Sequence, residues 1–179
     1  FGMIVAMDRR IPDAVGSLRS GRWERGEFSK AEGLHGKTIG IAGLGAIGRE
    51  VAMCAKAFGL TPIAWSRSLT ANRARDLGVG FASSLEELAK KSDILTTHLG
   101  LTDRTRGIMN AKVFEALPKR AMFLNLARAD LVDYAALRAA VVSRGLRAAV
   151  DVYPNEPKGK KEFQSDLFGA SETGGFVYG

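Results

Sequence analysis

Short apolar runs alternate with amphipathic stretches from residue 38 onward. Apolar runs of this length predict buried strands, and apolar residues spaced three or four apart predict helices between them. This alternation is typical of a parallel sheet covered by helices, so it predicts an α/β, doubly wound fold. The predicted strands are Thr38–Ala42, Pro62–Trp65, Val79–Phe81, Ile94–Thr97, Met122–Asn125 and Ala148–Val152.

Polar residues mark where several helices begin. Ser84 followed by Glu87 forms a capping box and predicts a helix through Lys91. Asn110 is predicted to cap a short helix that runs to Ala116, and Asp133 one that ends near Gly145. A further helix is predicted after the first strand, with one buried face formed by Ile47, Val51, Cys54, Ala55 and Phe58.

The two ends of the chain differ from this pattern. Phe1 to Ile11 look like the tail of a helix, so we expect an N-terminal portion to be missing. Residues 12–36 read as a connecting segment that packs Trp23 and Phe28 onto the rest of the chain, and residues 154–179 as an irregular loop. We therefore divide the chain into a connecting helix and segment, 1–36, and one domain, 37–179.

Composition excludes several classes of protein. Apolar residues make up 46% and charged residues 25%, as in ordinary globular proteins, and no apolar stretch approaches a membrane span. The net charge of +7 is dispersed without a basic motif, so we expect no nucleic-acid partner. One cysteine and two histidines do not match metal-site spacing, so no metal is expected. Cys54 is predicted to be a small core residue, and a single cysteine suits the cytoplasm.

The strongest local signal is the glycine-rich run Gly43-Leu44-Gly45-Ala46-Ile47-Gly48, which follows the first strand and opens a helix. In this context G-x-G-x-x-G favours dinucleotide binding. Gly43 permits the tight turn, Gly45 lets the backbone approach a pyrophosphate, and Gly48 lets helix and strand pack closely. The helix N-terminus then supplies free N–H groups to the phosphates. The alternative is a turn that binds nothing.

The end of the second strand bears on which nicotinamide cofactor is used. A Rossmann-type domain that uses NAD normally carries an acidic residue there, against the ribose hydroxyls. This chain has Trp65-Ser66-Arg67-Ser68 instead. Ser66 can hydrogen-bond a 2′-phosphate and Arg67 can pair with its charge. NADPH is therefore favoured over NADH, unless Arg67 is only an exposed loop residue.

Four ordered segments resemble the D-2-hydroxyacid dehydrogenases of the phosphoglycerate-dehydrogenase type, and together they extend over most of the chain. They are Gly36-Lys37-Thr38-Ile39-Gly40-Ile41 before the glycine turn; Thr97-His98-Leu99 with Leu101-Thr102 and Thr105-Arg106-Gly107; Asn125-Leu126-Ala127-Arg128 with Leu131-Val132-Asp133; and Asp151-Val152-Tyr153 with Glu156-Pro157. The resemblance implies a Rossmann-type, NAD(P)-binding domain of an oxidoreductase, paired in a homodimer through the helix of Phe1 to Ile11.

The resemblance also implies roles for individual residues. Arg128 matches the arginine that binds the carboxylate and carbonyl of a 2-oxo acid, and a permanently charged, forked guanidinium suits that task. Glu156 matches the acid that aims a catalytic histidine. That histidine is absent, since His98 matches a position at the cofactor edge; the fragment is therefore expected to bind cofactor without turnover. The cofactor-binding set implied by the glycine turn and the resemblance is Gly43, Gly45, Ala46, Ile47, Gly48, Ser66, Arg67, Leu99, Leu126, Ala127 and Asp151.

Two other functions stay open at this point. One is a dinucleotide-sensing regulator, because certain transcriptional corepressors resemble the same family. The other is a dehydrogenase acting on formate or phosphonate on the same scaffold. The sequence does not identify the substrate within the class of 2-oxo and 2-hydroxy acids, nor the direction of the reaction.

Overall fold

The computed structural model describes residues 1–159, 162–165, 167 and the backbone of 177–178. Within these residues, parallel strands form one seven-stranded sheet in the order β3-β2-β1-β4-β5-β6-β7. The strands are β1 (Thr38–Ala42), β2 (Thr61–Trp65), β3 (Gly80–Phe81), β4 (Ile94–Thr97), β5 (Met122–Asn125), β6 (Arg147–Val150) and β7 (Val177–Tyr178). The first strand, β1, lies inside the sheet; β2 and β3 follow on one side of it and β4 to β7 on the other, which confirms the predicted doubly wound topology.

Helices cover both faces of this sheet. They are α1 (Gly2–Arg9), α2 (Ile11–Arg19), α3 (Arg25–Phe28), α4 (Ala46–Ala57), α5 (Ala71–Asp76), α6 (Leu85–Lys90), α7 (Ala111–Ala116) and α8 (Tyr134–Arg144), with a 3₁₀ turn at Ala129–Leu131. The predicted caps are confirmed. Ser84 accepts from the Glu87 amide at 3.0 Å, and Asn110 and Asp133 cap α7 and α8 in the same way.

The core has two parts because the strands β1, β4, β5 and β6 are buried on both sides. Leu95 and Phe123 face helices α6, α7 and α8, where Phe114 meets Phe123 edge-on with ring centroids 5.0 Å apart. Ile94 and Met122, their neighbours in the strands, face the opposite side, which α1, α4 and α5 cover. Side chains that alternate between two buried faces explain why these strands are apolar at nearly every position.

The predicted buried face of α4 is wrong. Only Ala55 of the five residues is buried; Cys54 is exposed, Ile47 is 69% exposed and Phe58 45%. The face that packs on the sheet consists instead of Gly48, Ala52 and Ala55. Small residues let the helix axis approach the sheet closely, and this displaces the larger apolar side chains to its flanks. Cys54 is therefore not a core residue.

The two chain ends also depart from the predictions. Residues 12–36 are not simply a connecting segment, since they include most of α2 and all of α3. Trp23 is 77% exposed, so the expected packing of its ring is not seen, whereas Phe28 is partly buried beneath the Arg10 guanidinium, 5.0 Å from its ring centroid.

The last strands differ in their limits as well. β6 covers Arg147–Val150, whereas the predicted strand was Ala148–Val152. The observed strand therefore begins one residue earlier and ends two residues earlier than predicted. The predicted irregular tail contains a short strand, β7, which pairs with β6. The remaining described tail residues form neither helix nor strand. No helix in the described ranges is long and apolar enough to cross a membrane.

The contact between the start of α4 and the turn before it leads to a stability prediction. A methyl group at Gly48 would lie 2.1 Å from the Gly43 carbonyl oxygen, a backbone atom that cannot move without shifting the turn. We expect Gly48→Ala to lower the free energy of unfolding by about 1–3 kcal/mol. Urea unfolding measures this directly.

The matched control is Gly16→Ala in α2. A methyl group there meets no heavy atom within 4 Å, so the change should be neutral or slightly stabilising. Equal stability of Gly48→Ala and the unmodified chain would contradict the close packing of α4 on the turn.

Candidate cofactor and substrate site

The candidate site lies at the carboxyl ends of β1 and β4, the two central strands from which the sheet is built in opposite directions. In open α/β sheets, ligands bind in the crevice at this switch point. Gly43 follows β1 with φ of +103°, and a Cβ there would lie 2.6 Å from the carbonyl oxygen of His98, which follows β4. The Gly43 amide donates to the Trp65 carbonyl at 2.8 Å, so one glycine touches the ends of both neighbouring strands. Only a residue without a side chain fits this turn.

The start of α4 is open toward this crevice. Gly45 is the N-cap and provides no side-chain bond to the first turn, which leaves the amides of Ala46, Ile47 and Gly48 available to a ligand. A Cβ built at Gly45 has no heavy atom within 4 Å. Gly43 and Gly48 are thus tightly packed against the protein, while the middle glycine faces free space. This combination fits a pyrophosphate approaching a helix N-terminus.

A cavity of about 490 Å³ lies beside this turn. It brings together five of the predicted site residues, because α4 and the loops after β4 and β5 meet there. Helix α1 contributes Phe1 and Ile4 to the opposite wall. The predicted residues that line it are Ile47, Leu99, Leu126, Ala127 and Arg128.

A second cavity, of about 530 Å³, adjoins the first at Leu99 and Gly100. Ser66 and Arg67, which the sequence analysis assigned to a 2′-phosphate, line it from the loop after β2. Arg104, which sequence reasoning missed, lines it from the loop after β4. Among the described residues, none that line this cavity is acidic. The cavity therefore has the electrostatic character that suits an anionic group.

Asn125 organises the loop that carries Arg128. Its buried side chain accepts from the Ala127 amide at 3.2 Å and donates to the Arg128 carbonyl at 2.9 Å. The guanidinium of Arg128 is exposed at the cavity wall and donates to the Ala127 carbonyl at 2.7 Å. The loop is fixed by its backbone, and the guanidinium keeps most of its donors for a ligand.

Asp151 and Glu156 lie on the segment after β6. The Asp151 amide donates to the Asn125 carbonyl at 3.1 Å, so this segment begins beside the Arg128 loop. Glu156 accepts from the Tyr153 amide at 2.7 Å. Both carboxylates are exposed, and neither residue lines either of the two cavities.

The two histidines occupy different places. His98 lines the first cavity, and its Nε2 lies 3.0 Å from the hydroxyl oxygen of Thr96. Burial lowers the pKa of His98 below 6.5, which favours the neutral imidazole at pH 7. His35 packs against Gly59, away from this crevice. The structure therefore places one of the two histidines, His98, at the cavity wall.

Several residues of the site were not predicted from the sequence. Asn125 was predicted only as part of a motif. An amide side chain at the end of an apolar strand could have indicated that it bonds the backbone of the following loop. Tyr134 joins its hydroxyl to the Val152 carbonyl, and nothing in its spacing indicates that partner. Arg104 lies in a polar loop, where a cation is unremarkable by itself.

The crevice, the open helix N-terminus and the adjoining cavities define a dinucleotide-binding domain of the Rossmann type. A family model described as D-isomer specific 2-hydroxyacid dehydrogenase, NAD binding domain, matches residues 1–169. The chain therefore belongs to the D-isomer specific 2-hydroxyacid dehydrogenase family, of which it represents the NAD-binding domain.

Curated relatives and solved structures agree with this family. D-3-phosphoglycerate dehydrogenase of Methanocaldococcus jannaschii is 39% identical over 158 residues, which is 88% of this chain and 30% of that protein. The human D-3-phosphoglycerate dehydrogenase is 39% identical over 157 residues, 87% of this chain and 29% of its own length. The chain thus spans about 30% of the length of these relatives.

Among solved structures, a phosphoglycerate oxidoreductase from Vibrio cholerae superposes with a TM-score of 0.85 at 31% identity, covering 99% of this chain and 56% of that one. The holo form of Rhodotorula graminis D-mandelate dehydrogenase gives a TM-score of 0.81 at 26% identity, covering 98% of this chain and 52% of the other. Similar domains therefore occur in proteins named for different 2-hydroxy acids.

Proposed function

We propose that this chain is the cofactor-binding part of an NAD(P)-dependent D-2-hydroxyacid dehydrogenase, which transfers a hydride between NAD(P)H and a 2-oxo or 2-hydroxy acid. The observation that supports this most strongly is the glycine turn, where Gly43 and Gly48 are packed against the protein and Gly45 faces open space. A purely structural turn has no need of an open middle glycine. Residues 37–179 form the NAD(P)-binding unit in this proposal, and residues 1–36 connect it.

The residues that hold the cofactor follow from their places around the crevice. The amides of Ala46, Ile47 and Gly48 bind the pyrophosphate, because they are the free donors of the first turn of α4. Leu99, Leu126 and Ala127 provide the apolar wall of the first cavity on which the nicotinamide end rests. Asp151, at the end of β6, completes the set near the carboxamide. When bound, the nicotinamide supplies the hydride.

The substrate would meet Arg128 at the same cavity. Its guanidinium is exposed there, and its fork of donors fits a carboxylate and an adjacent carbonyl. Glu156 would orient the histidine that donates the proton. His98 is hydrogen-bonded to Thr96 and His35 packs against Gly59, so we assign the proton donor to neither. The chain by itself is therefore proposed to bind cofactor without turnover, in the cytoplasm.

The cavity around Ser66 and Arg67 supports a preference for NADPH. Both residues follow β2, the position where an acidic residue would repel a 2′-phosphate. Arg104 adds a second guanidinium from the opposite loop, and the described lining contains no carboxylate to neutralise either one. Two cations that line one cavity favour the phosphorylated ribose.

The function is tested first at Gly45. We expect this chain to bind NADH or NADPH in calorimetric titration, and Gly45→Ala to weaken the binding at least tenfold, about 1.4 kcal/mol, because the methyl group occupies the approach of the pyrophosphate. Its φ of −76° is ordinary for alanine, and no heavy atom lies within 4 Å of the added carbon. The urea midpoint should therefore stay nearly unchanged. Absence of binding by the unmodified chain, or unchanged affinity of the variant, would contradict the proposal.

The cofactor preference is tested at Arg67. A guanidinium–phosphate interaction contributes about 1.5–3 kcal/mol, so Arg67→Ala should weaken NADPH at least tenfold and leave NADH within about twofold. Lys112→Ala removes the same charge from an exposed position of α7, outside the cavity, and serves as the matched control. Equal affinity of the unmodified chain for both cofactors would refute the preference while keeping the dehydrogenase assignment.

The sequence favoured a homodimer through the helix of Phe1 to Ile11, and we propose that the contact includes the surface of α2, which directly follows it. Ile4 and Met7 of α1 are buried inside the chain itself. The large apolar side chains that remain exposed near the N-terminus follow α1: Ile11, Val15, Leu18 and Trp23. A cluster of this kind on one helix and the loop after it fits a protein–protein interface. We place the contact between two copies there.

The dimer proposal is tested by sedimentation equilibrium. Leu18 is 60% exposed, so Leu18→Asp should leave the fold intact and place a charge in the contact, which converts the dimer to a monomer. Val142→Asp introduces the same charge at an exposed apolar position of α8 and should stay dimeric. A monomeric mass for the unmodified chain would refute the homodimer.

A further inference from the structure

A third cavity, of about 250 Å³, lies at the edge of the sheet opposite the cofactor crevice. Arg120 precedes β5 and Arg147 is the first residue of β6, so this cavity lies at the amino ends of these strands. The end of α1 and the segment 27–32 also line it, and within the described chain it shares no lining residue with the two cavities at the crevice. We call it the charged cavity, because eight of its eleven lining residues are charged, five of them basic and three acidic.

Two of the acidic residues are engaged by other groups of the protein. Lys30 and Arg10 each donate to Glu27 at 2.7 Å. Asp8 is buried and accepts from the Gly33 amide at 3.1 Å. Even with all three acids counted as ionised, the five basic residues leave an excess of two positive charges around the charged cavity.

Three arginines from different elements line the charged cavity. Arg147 is only 8% exposed, and its Nε donates to the Arg120 carbonyl at 3.1 Å. The Arg120 guanidinium lies 3.7 Å from Glu32, beyond hydrogen-bonding distance, and Glu32 is bonded to Lys37 instead. Arg9 is exposed at the end of α1, and among the described residues no carboxylate lies within 4 Å of it. One small cavity is therefore lined by three guanidinium groups, each of which can bind an oxyanion through two donors.

The backbone supports a role for the Arg120 side chain outside the fold itself. Arg10 and Arg120 are the two non-glycine residues of the described chain with positive φ, at +50° and +64°, and both line the charged cavity. Glycine adopts this conformation without steric cost, so a larger residue there indicates that its side chain has a use. Arg10 is accounted for by Glu27 and by the ring of Phe28. Arg120 has no comparable contact in the described chain.

We propose that the charged cavity binds a phosphate group, either as inorganic phosphate or as the end of a small phosphate monoester. A phosphate carries about −1.5 to −2 charges at pH 7, which matches the excess of two positive charges in the lining. Arginine is suited to this ligand because its donors pair with phosphate oxygens in a fork. The volume lies below the roughly 300 Å³ at which clefts for larger ligands begin, so a single phosphate fits better than a whole nucleotide. None of the residues that hold the dinucleotide in the proposed function takes part.

Calorimetric titration with inorganic phosphate at constant ionic strength tests the site in Arg120→Gly. Glycine accepts the φ of +64° without cost and keeps the carbonyl that Arg147 contacts, so the urea midpoint should not fall. We expect phosphate affinity to drop at least tenfold, because a hydrogen bond to a charged group is lost. Arg9→Gln, on the exposed end of α1, should act in the same direction. The matched control is Arg73→Gln, which removes the same charge from an exposed position of α5 outside the charged cavity and should stay within twofold.

Amide chemical shifts show where the phosphate binds, which matters because the glycine turn is also an anion site. Ala31 lines the charged cavity, and the Gly33 amide bonds the buried Asp8, so the amides of Ala31 and Gly33 should shift saturably in the unmodified chain. The amides of Ala46 and Gly48 report on the glycine turn. A parallel titration with methyl phosphate separates the two sources: equal affinity identifies a monoester site, and weaker binding identifies a site for the free ion.

The proposal is supported if Ala31 and Gly33 shift and both arginine variants weaken the binding while Arg73→Gln does not. Shifts confined to Ala46 and Gly48 would place the phosphate at the cofactor site and overturn it. An equal loss in Arg73→Gln would reduce the effect to net charge, and absence of saturable binding would leave no site; either result also overturns the proposal. The dinucleotide titrations are unaffected by any of these outcomes, so the proposed function stands or falls separately.

Discussion

The carbonyl group of Gly43 occupies the space that a side chain at Gly48 would need, and this close approach fixes where α4 begins. Because the turn is closed on one side by His98 and tied by a hydrogen bond to Trp65, the first amides of the helix are held above the crevice between β1 and β4. The helix dipole and its free donors then point at a place where the protein leaves space. This turn therefore fixes the position of the start of α4 relative to the crevice.

The second half of the site depends on polar contacts rather than on close packing. A buried amide side chain, Asn125, replaces the strand ladder where β5 ends and shapes the loop that carries Arg128. Parallel strands end at the same edge of the sheet, so the loops after β4 and β5 meet at the wall of the first cavity. The sheet brings the loops close together, and individual side chains such as Asn125 fix the conformation of each loop.

Most strands were predicted well because runs such as Ile94–Thr97 are buried at every position and therefore carry few charged residues. The face of α4 was predicted wrongly because helical spacing alone cannot show that Gly48, Ala52 and Ala55 form the contact. Their small size permits an approach that pushes Phe58 outward, where it stacks on Phe1 with ring centroids 4.8 Å apart. The glycine turn and Arg128 carried a local signal. Tyr134 did not, since its hydroxyl donates to the backbone carbonyl of Val152, eighteen residues further along the chain.

The crevice lies between two halves of the sheet that are consecutive in sequence, β1 to β3 and β4 to β7. Ile39 pairs with Ile94 and Ala42 with Thr97, so the pairing of β1 with β4 joins residues that are far apart in the chain. Contacts this distant along the chain are slow to form, because the entropy of closing the intervening loop must be lost first. A dinucleotide that touches both halves binds only when they are docked, and its binding energy adds to that docking. Cofactor supply would therefore govern how long the chain survives proteases in the cell, apart from any catalysis.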